Sequence, residues 1–241
     1  MTANSSANIF RFKRFSLNNE RSALKLGTDA VLLGAAMTLS SEDRNLLDIG
    51  TGTGIIALMA AQRAESAGAD CRIEAIDIDA PSCEEASQNF TASPWSGILS
   101  VINTALQGFK PECRYDLVFS NPPYYDESLK NPDARESAAR HTECLSYRQI
   151  CAFCSENLTD SGRLSLILPS DCETALRRTA ASFGLYPFRL LRIRTTASKP
   201  ARRLIAEFSR NRVTPSEEEL VLQDGPDRTP EYKALTSDFY L

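Results

Sequence analysis

Short apolar runs alternate along this chain with stretches of helical period. Asn45 to Ile49 (NLLDI) is the first run, and Arg72 to Ile78, Ile98 to Ile102, Tyr115 to Ser120 and Arg163 to Leu168 follow it. Runs this short and this apolar predict strands buried on both faces of a parallel sheet. Helical patterns begin at Ala30 and cover Ile55 to Arg63, residues 81–92, Leu145 to Leu158 and Asp171 to Phe183. Leu185 to Arg194 and Arg202 to Phe208 follow one another with no helix between them, which predicts a terminal hairpin with an antiparallel last strand. The expected fold is therefore α/β: a seven-stranded, mostly parallel sheet with an antiparallel C-terminal hairpin and helices on both faces. A single domain over 1–241 accommodates this, with an N-terminal extension and helix (1–44), a core (45–210) and a C-terminal extension (211–241).

The turns between these elements carry the chemistry. Gly50-Thr51-Gly52-Thr53-Gly54 joins the first strand to the first core helix. Without Cβ atoms, Gly50 and Gly52 let a ligand press against the backbone, and Gly54 lets the helix pack close to the sheet. The next strand ends in Asp77-Ile78-Asp79, roughly 25 residues on, the offset at which an acid reaches ribose hydroxyls. Asp77 is assigned to the ribose; Asp79 is expected to cap the following helix, whose first turn suits Pro81. Thr28 or Asp29 can cap the helix that starts at Ala30.

Tyr115 to Ser120 runs into Asn121-Pro122-Pro123-Tyr124. Asn121 offers an amide oxygen, Pro122 a carbonyl with no N–H to compete with it, and Tyr124 an aromatic face. Two acceptors beside a flat face suit a planar group that carries an –NH2. The plainer reading is a Pro-Pro turn with a structural Asn. Residues 126–142 follow as a long polar loop, a candidate substrate lid that ends at Arg140-His141. His141 is either a catalytic group or a structural or RNA-contacting one.

Composition adds limits. No run approaches ~18 apolar residues, so no transmembrane helix is expected, and the N-terminus does not read as a signal peptide. The seven cysteines are scattered and odd in number. They are read as reduced and mostly core in a cytoplasmic protein with no metal site. The net charge is −4, yet eight cations (Arg189, Arg192, Arg194, Lys199, Arg202, Arg203, Arg210 and Arg212) lie between 189 and 212 against the single acid Glu207. Such a block is either a solvated face or a grip on a phosphate backbone. Phe10, Phe12 and Phe15 interleave with Arg11, Lys13 and Arg14, either as an edge strand with one apolar face or as a contact to a polyanion.

Leu47 to Gly54, Asp77 and Asn121 to Tyr124 together resemble the class I S-adenosylmethionine-dependent methyltransferases that act on a planar amine, a Rossmann-like fold. Asn-Pro-Pro-Tyr is shared by adenine-N6 methyltransferases and by enzymes that methylate a glutamine amide of peptide release factors. Phe12-Lys13-Arg14-Phe15, Lys25 to Ala35 and the closing Leu235 to Leu241 are similar to the bacterial family that methylates N6 of adenine 37 in valine tRNA. The resemblance implies S-adenosylmethionine as cofactor, with Asp48, Gly50, Thr51, Gly52, Gly54, Asp77, Ile78, Leu106, Thr28 and Asp29 around it. It implies Asn121, Pro122, Pro123 and Tyr124 as the catalytic set, and no metal. Many relatives carry an acid near Ala105, where the cofactor's adenine ring sits; here that contact would fall to the backbone. The implied partner is the anticodon arm of a tRNA, gripped by Arg11, Lys13, Arg14, Arg140, His141, Arg192, Arg194, Lys199, Arg202 and Arg203, with no membrane or obligate protein partner. Two alternatives remain at this point: methylation of a release-factor glutamine, and a non-catalytic nucleotide- or RNA-binding domain.

Overall fold

The structure, a computed structural model, describes residues 9–22, 26–123 and 145–241. A small hairpin comes first, β1 (Ile9–Arg11) and β2 (Ser16–Asn18), then α1 (Thr28–Ala36). The core follows as β3 (Asn45–Ile49), α2 (Ile55–Ser66), β4 (Arg72–Asp77), α3 (Ala80–Thr91), β5 (Leu99–Asn103), β6 (Tyr115–Ser120), α4 (Tyr147–Asn157), β7 (Leu158–Pro169) and α5 (Glu173–Ser182). The chain closes with β8 (Tyr186–Thr196), β9 (Arg203–Ser209), β10 (Ser216–Asp224), β11 (Asp227–Arg228) and α6 (Pro230–Thr236).

Among the described residues the main sheet has nine strands in the order β11-β10-β8-β9-β7-β6-β3-β4-β5. Strands β3 to β7 run parallel to one another, and β9 lies antiparallel between β7 and β8. Their apolar runs are continuous because both faces are covered. Successive residues alternate sides: Leu46, Leu117 and Phe119 pack with α1, α2, α3 and α6, and Leu47 and Val118 pack with α4 and α5. The chain builds outward from β3 through β4 to β5, then returns to β6 on the other side of β3. Strand order reverses there, and a crevice opens beyond the C-terminal ends of β3 and β6.

All seven expected strands are present; the stretch expected as a C-terminal extension adds two more. Strand β10 joins the edge parallel to β8 and sets an acidic row beside a basic one. Arg189 bonds Glu218 through two hydrogen bonds of 2.9 Å. Arg192 meets Glu217 at 3.5 Å and Arg194 meets Glu219 at 3.4 Å. Three of the eight cations counted in the sequence, Arg189, Arg192 and Arg194, are thus paired within the sheet. Opposite charges on neighbouring strands attract, and linear charge counting does not see the strand that supplies them.

The inner end of this charge row is buried. Glu207 is fully buried and accepts from Thr38 N–H, Thr38 Oγ1, Ser165 Oγ and Arg189 Nη1 at 2.6–2.9 Å. It ties the loop after α1 to β7, β8 and β9. Removing one partner of such a buried network leaves the others uncompensated. Glu207→Ala is expected to lower stability by about 3–5 kcal/mol in urea unfolding. Glu217→Ala, on a side chain 59% exposed, should cost less than about 1 kcal/mol in the same assay. Equal effects would show that the buried network does not set the stability of this edge.

Candidate active site

The glycine turn is built by backbone geometry. Gly50, Gly52 and Gly54 hold φ values of +72°, +55° and +83°, a region that side chains with a Cβ resist. Gly50 N–H and Thr51 N–H both donate to the carbonyl of Ile76 at 2.9 and 3.1 Å, which folds the turn back onto β4. Gly52 N–H donates to Asp77 Oδ2 at 2.8 Å. A Cβ on Gly54 would come within 2.4 Å of the Phe90 ring, so this glycine is required by α3 and not, as the sequence reading had it, by the sheet.

Asp48 and Thr51 lie beneath the turn, both buried, with Thr51 Oγ1 donating to Asp48 Oδ2 at 2.8 Å. The other oxygen, Oδ1, is buried with no hydrogen-bond partner among the described residues. Burial pushes the Asp48 carboxyl up to about 7, against the opposing effect of the Thr51 bond and with help from nearby Asp77. Asp77 is itself raised, chiefly by burial, and its Oδ1 accepts from Asp79 N–H at 2.9 Å. Asp79 caps α3 as expected, taking Ser82 N–H at 3.0 Å.

On the other side of the crevice, Ser120 ends β6. Its hydroxyl donates to the carbonyl of Ile49 at 2.6 Å, fully buried. This bond ties the last residue of β6 to the last residue of β3. Asn121, Pro122 and Pro123 therefore emerge beside the glycine turn. They share with it a cleft of about 660 Å³, lined also by Leu26 to Ala30, Ile55, Ile56 and Arg203. Asp77, Ile78 and Leu106 are not among the lining residues. Asp77 reaches the turn through Gly52, Ile78 is 59% exposed and Leu106 is buried. Asn103 Nδ2 braces this neighbouring edge by donating to the carbonyls of Asp77 and Ile78, both at 3.0 Å.

Other residues take different places from those expected. Gly27, not Thr28 or Asp29, is the N-cap of α1, and no side chain caps it. Thr28 and Asp29 face the cleft instead, where Asp29 Oδ2 accepts from Arg203 Nε at 2.7 Å. Arg203 thus leaves the basic row for the cleft. Arg192 is bound by Glu173 (2.5 Å) as well as Glu217, and Arg194 by Glu219. Both were expected as RNA contacts, and both are occupied by β10 and α5 acids. Lys199 and Arg202 stay exposed at the β8–β9 turn. Phe12 and Phe15 are buried and stacked at 4.6 Å in the turn of the β1–β2 hairpin, while Phe10, on β1, is exposed, so no single strand carries the three on one apolar face. Lys13 Nζ donates to the Ser237 carbonyl at 2.6 Å and Arg14 pairs with Glu65 at 2.6 Å, while Arg11 is exposed. Tyr124, Arg140, His141 and the loop 126–142 lie outside the described residues. Ser120 and Leu26 belong to the quoted motifs, but no role was expected of either. A lone serine closing an apolar strand was the available signal for Ser120.

The residues fit a specific kind of ligand. A glycine cradle faces one side and Asp29 lines the cleft, while Asp77 holds the turn through Gly52 and Asp48 lies buried beneath it. That set suits a molecule with cationic and hydroxyl groups, held beside the acceptors Asn121 and Pro122.

The Asp48 environment has a consequence for stability. Its folded value, about 7, lies above the unfolded 3.8, so the folded state holds the proton more tightly. The stabilisation is complete below 3.8, declines as pH rises through about 7, and is flat beyond. Asp48→Asn is expected to shrink the loss of stability between pH 5 and pH 8 by on the order of 2–3 kcal/mol, measured by urea unfolding. An unchanged difference would show that Asp48 does not titrate in this window.

Residues 21–174 match the family model described as methyltransferase small domain. The chain is 39% identical over 237 residues to a tRNA1(Val) (adenine(37)-N6)-methyltransferase of Flavobacterium johnsoniae, covering 97% of this chain and 99% of that protein. A protein of the same name from Vibrio campbellii is 34% identical over 232 residues, covering 96% and 95%. Among solved structures, a predicted O-methyltransferase from Agrobacterium tumefaciens has a TM-score of 0.66 at 16% identity, covering 88% of this chain and 96% of that one. A methyltransferase from Pyrococcus furiosus has a TM-score of 0.57 at 20% identity, covering 80% and 89%. At such identities the structural likeness speaks to the fold alone, that of class I methyltransferases. By its family-model match and its nearly full-length relatives, the chain belongs to the tRNA1(Val) (adenine(37)-N6)-methyltransferase family.

Proposed function

We propose that this protein transfers a methyl group from S-adenosylmethionine to the exocyclic N6 of an adenine in tRNA, adenine 37 of valine tRNA being the target. One observation carries this reading: Asn121 and Pro122 line the same cleft as the glycine turn, held there by the Ser120–Ile49 bond. When bound, the cofactor supplies a methyl group already activated on a sulfonium. Gly50, Gly52, Asp48, Asp77 and the α1 end at Thr28 and Asp29 are the residues to hold it.

The chain's own task is to make a poor nucleophile better. The lone pair of an adenine amine is delocalised into the ring. As the nitrogen reacts it moves toward tetrahedral geometry and gains positive charge. Acceptors aimed at its two hydrogens stabilise that state more than the flat ground state. The Asn121 amide oxygen and the Pro122 carbonyl fill this role, with Pro123 stiffening the backbone between them and Tyr124, the stacking face. The target base must leave its stack to enter such a cleft. Because the β8 arginines are neutralised by β10, the grip on the phosphate backbone falls to Lys199 and Arg202 at the hairpin turn, with Arg11 as a further exposed cation.

The deciding measurement is a nuclease digest of unmodified valine tRNA after incubation with the protein and S-adenosylmethionine. N6-methyladenosine is expected. Its absence overturns the reading, and methylation of a release factor instead would redirect it to glutamine. Asn121→Ala should lower kcat by about 100-fold or more while S-adenosylhomocysteine binds within about 3-fold of wild type. For the grip, Lys199→Ala with Arg202→Ala should raise the KM for tRNA by about 10-fold at constant kcat and flatten its salt dependence. Arg194→Ala should leave KM within about 2-fold, because its charge is already taken. The reverse ranking would locate the RNA on the β8 face.

A further inference from the structure

Helix α3 has an unusual inner face. Ser82, Glu85 and Asn89 lie on the stripe that faces inward with Ala86 and Phe90, and all three polar side chains are only 2% exposed. A buried carboxylate and amide on a packing face carry a desolvation cost unless their hydrogen bonds are met. Here they are met by one short piece of chain. Glu85 Oε1 accepts Glu20 N–H at 2.5 Å and Arg21 N–H at 2.9 Å, and Oε2 accepts Ser22 N–H at 2.9 Å. Three consecutive amides thus converge on a single carboxylate. One turn further along α3, Asn89 Oδ1 accepts Asn18 N–H at 2.8 Å, and Nδ2 donates to the carbonyls of Asn18 (3.0 Å) and Thr53 (2.9 Å).

The segment held in this way is part of the cleft's construction. Ser22 lies against the glycine turn: a Cβ on Gly52 would sit 3.4 Å from Ser22 Oγ, which accepts from Ser82 Oγ at 3.2 Å. Asn19 Oδ1 accepts Leu26 N–H at 3.3 Å, closing the segment onto the start of the cleft wall. Leu26 to Ala30 then line the cleft itself.

We infer that Glu85 is a positioning residue for the cofactor: through the backbone of 20–22 it sets the wall Leu26–Asp29 at a fixed distance from the glycine turn. Asn89 does the same from the turn's side through Thr53. The inference rests on the methyltransferase reading but concerns ligand affinity, not chemistry at the amine. Among the described residues the Glu85 carboxylate bonds the backbone of 20–22 and does not line the cleft, so its loss should loosen the cofactor and leave the transfer step intact.

The test is Glu85→Gln, which keeps the shape and one acceptor oxygen but sets an NH2 against the N–H donors on the other side. Binding of S-adenosylhomocysteine is measured by calorimetry, and kcat and KM with tRNA. The expected result is a Kd and a KM for S-adenosylmethionine raised about 10-fold or more, with kcat at saturating cofactor within about 2-fold of wild type. Hydrogen exchange at 20–22 should speed up in the same variant. Tyr115→Phe is the control: it removes the bond to Glu74 at the far end of β6 and should lower the melting temperature without moving the cofactor's Kd. If Glu85→Gln fails to fold, Asn19→Ala carries the test with the same signature. Wild-type affinity in a folded Glu85→Gln or Asn19→Ala overturns the inference, as does a rise in Kd matched by Tyr115→Phe. A wild-type protein that does not bind S-adenosylhomocysteine at all overturns the methyltransferase reading itself.

Discussion

Everything at the cleft depends on one hydrogen bond inside the sheet. The hydroxyl of Ser120 meets the carbonyl of Ile49 where strand order reverses. The last carbonyl of a parallel strand commonly turns out toward solvent or a loop. Here the neighbouring strand takes it with a side chain, so the two strand ends cannot splay. Beyond that bond the two backbones diverge into different chemistry: a glycine turn on one side, Asn-Pro-Pro on the other. Each is stiff for its own reason, positive φ in the first and proline rings in the second. A ligand cradle and a pair of acceptors are thereby held in mutual register without any flexible side chain between them, which is how a site relying on positioning is best made.

The cofactor side is then closed by charge and amide chemistry instead of apolar packing. Glu85 and Asn89 hold the N-terminal segment by its backbone, Asp77 holds Gly52, and Asn103 holds the chain beyond β4. Hydrogen bonds have directions, and apolar contacts do not. A wall that must stand at a fixed distance from a glycine turn is better specified by such bonds than by hydrophobic contact.

At the far edge of the sheet the same preference for pairing changes the surface. Strands β8 and β10 run parallel, and their arginines and glutamates pair diagonally, each acid two positions away from the residue directly opposite its arginine. The acidic segment that follows the hairpin is thus the counter-charge of the hairpin. Lys199 and Arg202 stay exposed at the turn between β8 and β9, close to the C-terminal end of the sheet where the cleft opens. A negatively charged partner is directed toward that end and not along the whole strand.

Much of this was legible in the residues alone. Alternating apolar runs and helical periods determined the α/β layout, because strands buried on both faces must be apolar throughout. The glycine turn, Asp79 as a cap and the position of Asn121-Pro122 at the end of β6 were readable because they are local: backbone conformation, strand ends and the missing N–H of proline act within a few residues. What only the tertiary structure decided involves partners distant in sequence. Arg192 and Arg194 looked like an RNA grip until β10 came alongside, Asp29 looked like a cap until Arg203 reached it from 174 residues away, and Phe12 was ambiguous until it stacked 5.9 Å from Tyr240 at the other end of the chain. Glu85 and Asn89 read as ordinary helix residues, since nothing near them in the sequence names the amides they hold. Charge and hydrogen-bonding capacity are written in the sequence, but which partner satisfies them is settled by the fold that brings the partners together.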